Sequence, residues 1–433
     1  MNQQLSVDEA FEIAFSCHMK GDLEQAKSTY LMILEALPEE PRSLHFLGIL
    51  LHKEERSDLA VQCVRRSIEL FPESPGWRND LGNMLAERGD TEAAEHEFEN
   101  AIDLQPDNPM FWNNLGAMQE RSGKTNEAQL SFRKAIAIDP YFGDALSNLA
   151  NSLNREGKEL EAAEFHCRAF VLEPTHDKPK SMLGIAYYKL GRLAEAAEVY
   201  REWMSEEPDN PIPRHLFAAC SGEAVPTRAS DAYVEKHFDK LAAKFDANLK
   251  NLAYSGPEMI AGALAKIDSP AENWTVLDAG CGTGLAARKL SPYAMKLTGV
   301  DISSAMLAEA KKGGLYHELV KCEVTSYLAA HPGCFDLIVA ADTLIYFGAL
   351  EELFASAFSA LCPGGYFIFT VEQAAVDEAF RLNPHGRYCH GKNYLASTLL
   401  KVGFELLAMD SGVVRVEFGN PVDGLTISAR RSS

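Results

Sequence analysis

The segment Val276-Leu277-Asp278-Ala279-Gly280-Cys281-Gly282-Thr283-Gly284 is where residue types and spacing most directly imply chemistry. A short apolar run ends in an acid, and three glycines follow at alternate positions. Glycine adopts backbone conformations closed to other residues, so such a loop can turn sharply and press its peptide groups against a ligand. The spacing is G-x-G-x-G, not the G-x-G-x-x-G of dinucleotide-binding loops, although a strand–loop–helix of this kind also suits NAD. Asp278 stands where it can receive an ammonium group, directly or through water. A second apolar run ends in Gly299-Val300-Asp301, and an acid at that strand end can accept both hydroxyls of a ribose. Ile302 then offers an apolar face to an adenine ring.

These residues need strands to carry them. Runs rich in β-branched and apolar residues fall at 275–278, 296–301, 318–322, 335–340 and 365–371. Two more follow at 404–409 and 425–429, with a possible extra strand at 413–417. Helical patterns separate them, beginning with 285–290 directly after the glycines. Alternation of this kind predicts a mostly parallel sheet with helices on both faces and a ligand site at the carboxyl ends of the central strands. Upstream, the spacing predicts a helix over 233–252 and another from Gly256-Pro257 to about 267.

The first half of the chain is built differently. Pro38, Pro72, Pro106, Pro140, Pro174 and Pro208 follow one another at intervals of 34 residues. Ala26, Ala60, Ala94, Ala128, Ala162 and Ala196 keep the same step, as do Ile13, Leu47, Leu81, Leu115, Leu149 and Leu183. Gly21, Gly89, Gly123, Gly157 and Gly191 mark turns, with Glu55 in the place of the glycine in the second unit. Each unit reads as two helices joined by a tight turn, with small residues that let the helices approach and a proline that ends the second. One unit cannot bury its apolar face alone, so the units must stack. A further helix is expected over 211–220, and Gly222 and Pro226 mark a linker over 221–227.

The first half resembles tetratricopeptide repeats over roughly residues 6–208, by period and by position. That resemblance implies a concave groove that binds a protein or peptide, and the row Asn79, Asn83, Asn113, Asn151 and Asn154 is expected to face it. The second half resembles class I, Rossmann-like methyltransferases dependent on S-adenosylmethionine, strongly over roughly 276–371. This resemblance implies that Gly280, Gly282 and Gly284 form the S-adenosylmethionine loop beside Asp278, that Asp301 takes the ribose and that Ile302 packs on adenine. It further implies that Glu323 contacts the adenine amino group and that Ala341 and Asp342 face the methionine end and the methyl acceptor. The lead-in Tyr233 to Lys240, with Lys244-Phe245-Asp246, Leu252-Ala253-Tyr254 and Pro257, resembles bacterial predicted methyltransferases that also carry tetratricopeptide repeats. There Tyr254 would be a lid contact. Segments 341–348 and 386–390 resemble the same group, which implies a loop over the acceptor pocket with His385 and His390 able to act as acid or base near neutral pH.

The expected organisation is therefore two domains: an all-α repeat solenoid over 1–220, a linker over 221–230, and an α/β Rossmann-like methyltransferase domain over 231–433. Methyl transfer from a sulfonium is a displacement in which the protein mainly aligns the acceptor. If the acceptor must lose a proton, Asp342, His385 and His390 are the catalytic candidates. No metal is required, and no ligand cluster stands out. The formal charge of −21 and the lack of a basic run disfavour nucleic acid and anionic membrane as partners. The Asn/Asp-Pro-Pro-Tyr segment of amino-directed nucleic-acid methyltransferases is missing after the fourth strand, leaving a protein side chain or a small metabolite as acceptor. Nine scattered cysteines without a Cys-x-x-Cys pair fit a reducing cytoplasm, and no apolar stretch is long enough to span a membrane. An interaction scaffold with an inactive methyltransferase domain is the alternative function.

Overall fold

The computed structural model describes residues 5–172, 178–267, 273–417 and 419–432, so Pro174 lies outside the described residues. The chain forms two compact units, residues 1–175 and 176–433.

The first unit contains five helix pairs: Val7–Met19 with Leu23–Ala36, Pro41–Lys53 with Ser57–Leu70, Pro75–Arg88 with Thr91–Leu104, Pro109–Arg121 with Thr125–Ile138, and Gly143–Arg155 with Glu159–Leu172. The 34-residue period has a steric basis. The periodic alanines are 0% exposed at Ala26, Ala60, Ala94, Ala128 and Ala162, because any larger side chain would push the paired helices apart. A Cβ on Gly82 would stand 2.6 Å from the Phe98 ring, and one on Gly116 2.7 Å from Phe132. Glu55, in the place of a turn glycine, still adopts the left-handed conformation, at φ 61°. The turn survives at the strain that a side chain brings there.

The asparagines differ from expectation. Asn79 and Asn113 are buried, and neighbouring repeats hold their carboxamides. Asn114 Nδ2 donates to Asn79 Oδ1 at 2.8 Å and to Asn83 Oδ1 at 3.4 Å, and Asn148 Nδ2 donates to Asn113 Oδ1 at 3.0 Å. Asn154 pairs with His166 at 2.8 Å, while Asn151 is exposed. Recurrence of a poor helix former thus reflects hydrogen bonds between successive first helices. Asn113→Ala is expected to lower the stability of the repeats by about 1 kcal/mol in urea, whereas Asn151→Ala should stay within about 0.5 kcal/mol of the parent. Equal effects would show that the ladder contributes nothing.

The second unit begins with the helix pair Lys180–Lys189 and Leu193–Glu206, followed by the helix Pro211–Ser221. Ala196 is again 0% exposed. The expected helix over 233–252 is broken: Asp231–Leu241 passes through a 3-10 turn at Ala242–Lys244 into Phe245–Asn251. The helix Gly256–Leu264 follows. The sheet comprises β1 Trp274–Ala279, β2 Ala294–Asp301, β3 Glu318–Lys321, β4 Phe335–Ala340, β5 Leu361–Gln373, β6 Phe380–Leu382, β7 Tyr388–His390, β8 Phe404–Glu417 and β9 Asn420–Arg431. Strands β3, β2, β1, β4 and β5 lie side by side in that order and are all parallel. Strand β9 runs antiparallel to β5, and β8 to β9. Alternate residues of the central strands enter separate cores. Leu277, Val300, Ile338 and Phe369 pack with Phe354 and Leu399 on one face, and Val276, Leu297, Leu337 and Ile368 pack with Ile260 and Leu290 on the other. Burial on both faces is what makes these strands continuously apolar.

The two runs at 404–409 and 413–417 form one strand, β8, with irregular register at Leu406/Ala408 and Val413/Arg415. The β6–β7 hairpin has no counterpart among the expected strands; its members are three residues each.

Candidate functional site

The order β3-β2-β1-β4-β5 places a switch point between β1 and β4, where successive connections leave in opposite directions and a crevice opens. Gly280, Gly282 and Gly284 form the turn after β1, with φ of 76°, 53° and 87°. Gly280 closes the crevice floor: Thr343 Oγ1, from the segment after β4, donates to Ala279 O at 3.0 Å, and any side chain on Gly280 would collide with it. A Cβ on Gly282 would meet no atom within 4 Å, so that peptide faces open space.

Two acids flank the loop. Asp301, at the end of β2, accepts from Gly282 N at 2.9 Å and from Ser303 N at 2.8 Å. Burial raises its carboxyl above the ordinary range, against the pull of these backbone donors. Asp278, fully enclosed, accepts from the Tyr316 hydroxyl at 2.6 Å. Burial pushes it up to about 7, despite that hydrogen bond. Such a carboxylate favours a cationic neighbour.

One cavity of about 310 Å³ is lined by Asp278, Gly280, Gly282, Asp301, Ile302, Glu323, Ala341, Asp342 and Tyr254. The structure thus brings most of the expected site residues together. Gly284 is set back from the lining, with its Cα side against the Tyr316 ring. Glu323 also caps the helix Val324–Ala330, accepting from Thr325 N at 2.9 Å and Ser326 N at 2.8 Å. Burial would raise its carboxyl, but these donors hold it below the ordinary value.

The broken helix over 231–251 covers this cavity. Val234, Phe238, Leu241, Phe245 and Leu249 line it, and two carboxylates fasten it down. Asp239 Oδ1 accepts from Ser303 Oγ at 2.5 Å, and Asp246 Oδ1 from Thr283 Oγ1 at 2.6 Å. The cover is therefore tied both to the glycine loop and to the segment after β2.

The far end of the cavity holds a group of charges that the sequence did not reveal. Arg387, Arg415 and Glu417 line it beside Asp342, with Glu372 behind. Arg415, 2% exposed, reaches Asp342 Oδ2 at 3.2 Å and Glu417 Oε1 at 2.6 Å, and pairs with Glu372 through its other terminal nitrogen. Arg387 bonds Glu372 at 2.9 Å and also pairs with Glu417. Burial would raise Glu372 and Glu417, but the arginines hold both below the ordinary carboxylate range. Asp342 behaves oppositely: burial raises it despite Arg415. Its backbone takes φ 56°, a left-handed conformation rare outside glycine, and its N–H bonds Thr370 Oγ1 at 2.8 Å.

His385 and His390 are not among the cavity-lining residues. His390 belongs to β7 and is 0% exposed, with Nε2 on Gly348 O at 3.1 Å. His385 lies behind the charge cluster, 3.6 Å from Glu372. Burial pushes both imidazoles down to about 4, so both are neutral at pH 7. Strand β7 turns His390 into the protein, His385 sits half-buried in the turn before it, and Arg387 lines the cavity. Among the described residues, no group of three or more potential ligands gathers as a metal site. No described helix is long and apolar enough to cross a membrane.

Comparison with known proteins follows the same division. Residues 277–369 match a family model described as a methyltransferase domain. Residues 47–111, 97–130 and 180–211 match tetratricopeptide-repeat models. The chain is 34% identical over 140 residues to methyltransferase-like protein 27 of Homo sapiens, covering 31% of this chain and 55% of that protein. It is 27% identical over 176 residues to the probable S-adenosylmethionine-dependent methyltransferase CRG1 of Saccharomyces cerevisiae, covering 39% and 58%. It is 31% identical over 109 residues to a ubiquinone biosynthesis O-methyltransferase of Thiobacillus denitrificans, covering 24% and 46%. The chain spans about half the length of the curated relatives it matches.

Proposed function

We propose that this chain, which joins tetratricopeptide repeats to a Rossmann-like methyltransferase domain, transfers a methyl group from S-adenosylmethionine to a protein side chain or small molecule. The repeats would engage a protein or peptide partner. The observation that carries the reading is the convergence of the glycine loop, Asp278 and Asp301 on one cavity.

S-adenosylmethionine fits the residues present. Asp278 is a buried carboxylate with no cation paired to it among the described residues, and it suits the ammonium group. Asp301 keeps acceptor capacity for a ribose diol beyond the backbone donors that hold it, Gly282 and Ser303 among them. Ile302 and Val324 supply apolar surface for adenine beside Glu323. Bound there, the cofactor supplies a methyl group activated by a sulfonium. The chain's own residues would then orient and enclose. The apolar cover over 231–251 excludes water, Ala341 leaves room at the end of β4, and Tyr254 and Tyr346 form aromatic walls. Asp342, raised by burial and facing the cavity, is the group suited to take a proton from an acceptor N–H or O–H.

The test is calorimetric titration of the full-length protein with S-adenosylmethionine, followed by labelled methyl transfer in lysate. Saturable one-site binding and a labelled product support the enzyme. A folded protein that binds nothing would instead be an interaction scaffold. The two fastenings of the cover carry a kinetic expectation. Asp246→Ala should speed release of S-adenosylhomocysteine by roughly two- to fivefold, since an exposed hydrogen bond is worth about 0.5–1 kcal/mol. Stopped-flow displacement checks this, and an unchanged rate would mean that the cover does not gate release.

A further inference from the structure

Tyr316 stands apart from the residues that its sequence neighbourhood would single out, yet two parts of the site converge on it. Its hydroxyl donates to Asp278 Oδ2 at 2.6 Å. Its ring occupies space left by two glycines from different elements. A Cβ on Gly299 of β2 would lie 2.8 Å from Tyr316 Cε1, and one on Gly284 of the loop 3.0 Å from Cε2. Gly284 therefore serves both the turn, at φ 87°, and the seating of this ring. The tyrosine packs at the edge of the core formed by Val276, Leu297 and Leu290, so it is held from below by the sheet.

We propose that Tyr316 is a positioning residue of the cofactor site, fixing the Asp278 carboxylate through its hydroxyl and bracing the glycine loop with its ring. The inference rests on the cofactor reading above. The hydroxyl bonds the Asp278 oxygen, so the remaining lone pairs of that carboxylate have a fixed direction for an ammonium group. The ring prevents the loop from settling toward β2. It touches no reacting atom and acts only through Asp278 and the loop.

The consequence appears in the pH dependence of binding. The groups facing Asp278 are Tyr316, the Cys281 thiol of the loop, Asp301 at the end of β2 and Tyr254 on the cover side. Burial raises Asp278 most, Asp301 raises it further, and the Tyr316 hydrogen bond lowers it, leaving it at about 7. An ammonium-bearing ligand prefers the ionised carboxylate. Its affinity must therefore rise as pH rises through that value and level off above it. Removing the hydroxyl removes the group that favours the ionised form, so the rise moves to higher pH.

The experiment is calorimetric titration of full-length protein with S-adenosylhomocysteine between about pH 6 and about pH 8.5. The wild type should bind roughly tenfold more tightly at the upper end, by proton linkage. Tyr316→Phe should bind roughly five- to tenfold more weakly near neutrality, with the deficit narrowing toward high pH. Asp278→Asn, with Tyr316 intact, should bind weakly with a flat profile, and it decides the matter if the phenylalanine variant does not fold. A constant deficit for Tyr316→Phe at every pH would reduce the residue to a packing role and overturn the inference. So would an unchanged rise in Asp278→Asn. No binding by folded wild type at any pH removes the cofactor reading itself, an outcome distinct from either.

Discussion

Arg415→Met is expected to destabilise the second compact unit by about 3–5 kcal/mol, the usual consequence of removing one partner from a buried ion pair. The side chain is 2% exposed and binds three carboxylates, those of Asp342, Glu372 and Glu417. Methionine keeps much of the volume, so the loss is electrostatic. Arg387 would be left to balance three acids at once. The effect has a pH signature whose sign can be worked out. In the wild type, Glu372 and Glu417 are held below their ordinary value of 4.5, so their pairing stabilises the fold above that pH and is lost as pH falls through the folded values. In the variant, the same carboxylates are buried with too little positive charge, and their pKa values move up. Its deficit should be largest at neutral and alkaline pH and shrink on acidification, as protonation removes the repulsion. Denaturant unfolding of both proteins near pH 8 and near pH 5.5 separates the cases. A deficit below about 1 kcal/mol near pH 8 would mean that the cluster contributes little.

Asp301→Ala is expected to weaken S-adenosylmethionine binding by at least roughly a hundredfold. Hydrogen bonds to a charged partner are worth about 1.5–3 kcal/mol each, and a ribose diol would make two. The carboxylate also holds Gly282 N at 2.9 Å and Ser303 N at 2.8 Å, so its loss frees the loop as well as the ribose contact. Asp301→Asn retains one acceptor oxygen and should fall between the two. Calorimetry on the full-length variants reads the effect directly. Alanine affinity within threefold of wild type would remove Asp301 from the cofactor site.

What could be read in advance followed from distance along the chain. The repeat architecture was legible because its period writes the same steric demand again and again; the buried Ala26, Ala60 and Ala94 are one contact repeated. The glycine loop was legible because nine consecutive residues carry strand end, acid and turn. The charge cluster was not, because Asp342, Glu372, Arg387 and Arg415 come from the ends of different strands and meet only through tertiary pairing. Tyr316 was hidden for the same reason: nothing local links it to Asp278. His390 was misplaced because a three-residue strand leaves too weak a pattern to show that it is paired on both sides, with β5 and β6. The asparagine row was expected to face a groove, but the neighbours that consume the carboxamides of Asn79 and Asn113 lie about one repeat away along the chain.

The helix Pro211–Ser221 carries the rhythm of the repeats but is bound to the residues around the sheet of its own unit. His215 Nε2 donates to Gly386 O at 2.8 Å, and its ring stacks on Tyr233 at 4.0 Å. Ala218 and Ala219 pack with Leu382 and Tyr388. The apparent linker is bonded too: the Tyr388 hydroxyl reaches Pro226 O at 2.7 Å, and Thr227 O accepts from Gly348 N at 2.8 Å. Arg387, beside Gly386, lines the cavity. In evolutionary terms, this last helix is not a freely exchangeable attachment. A recombination that joined a new array at the proline- and glycine-marked junction would discard part of the scaffold behind the cavity. An exchange made upstream of the helix pair that begins at Lys180 would leave that scaffold whole. The earlier repeats can therefore vary in number and sequence without disturbing these contacts, whereas the helices from Lys180 onward cannot.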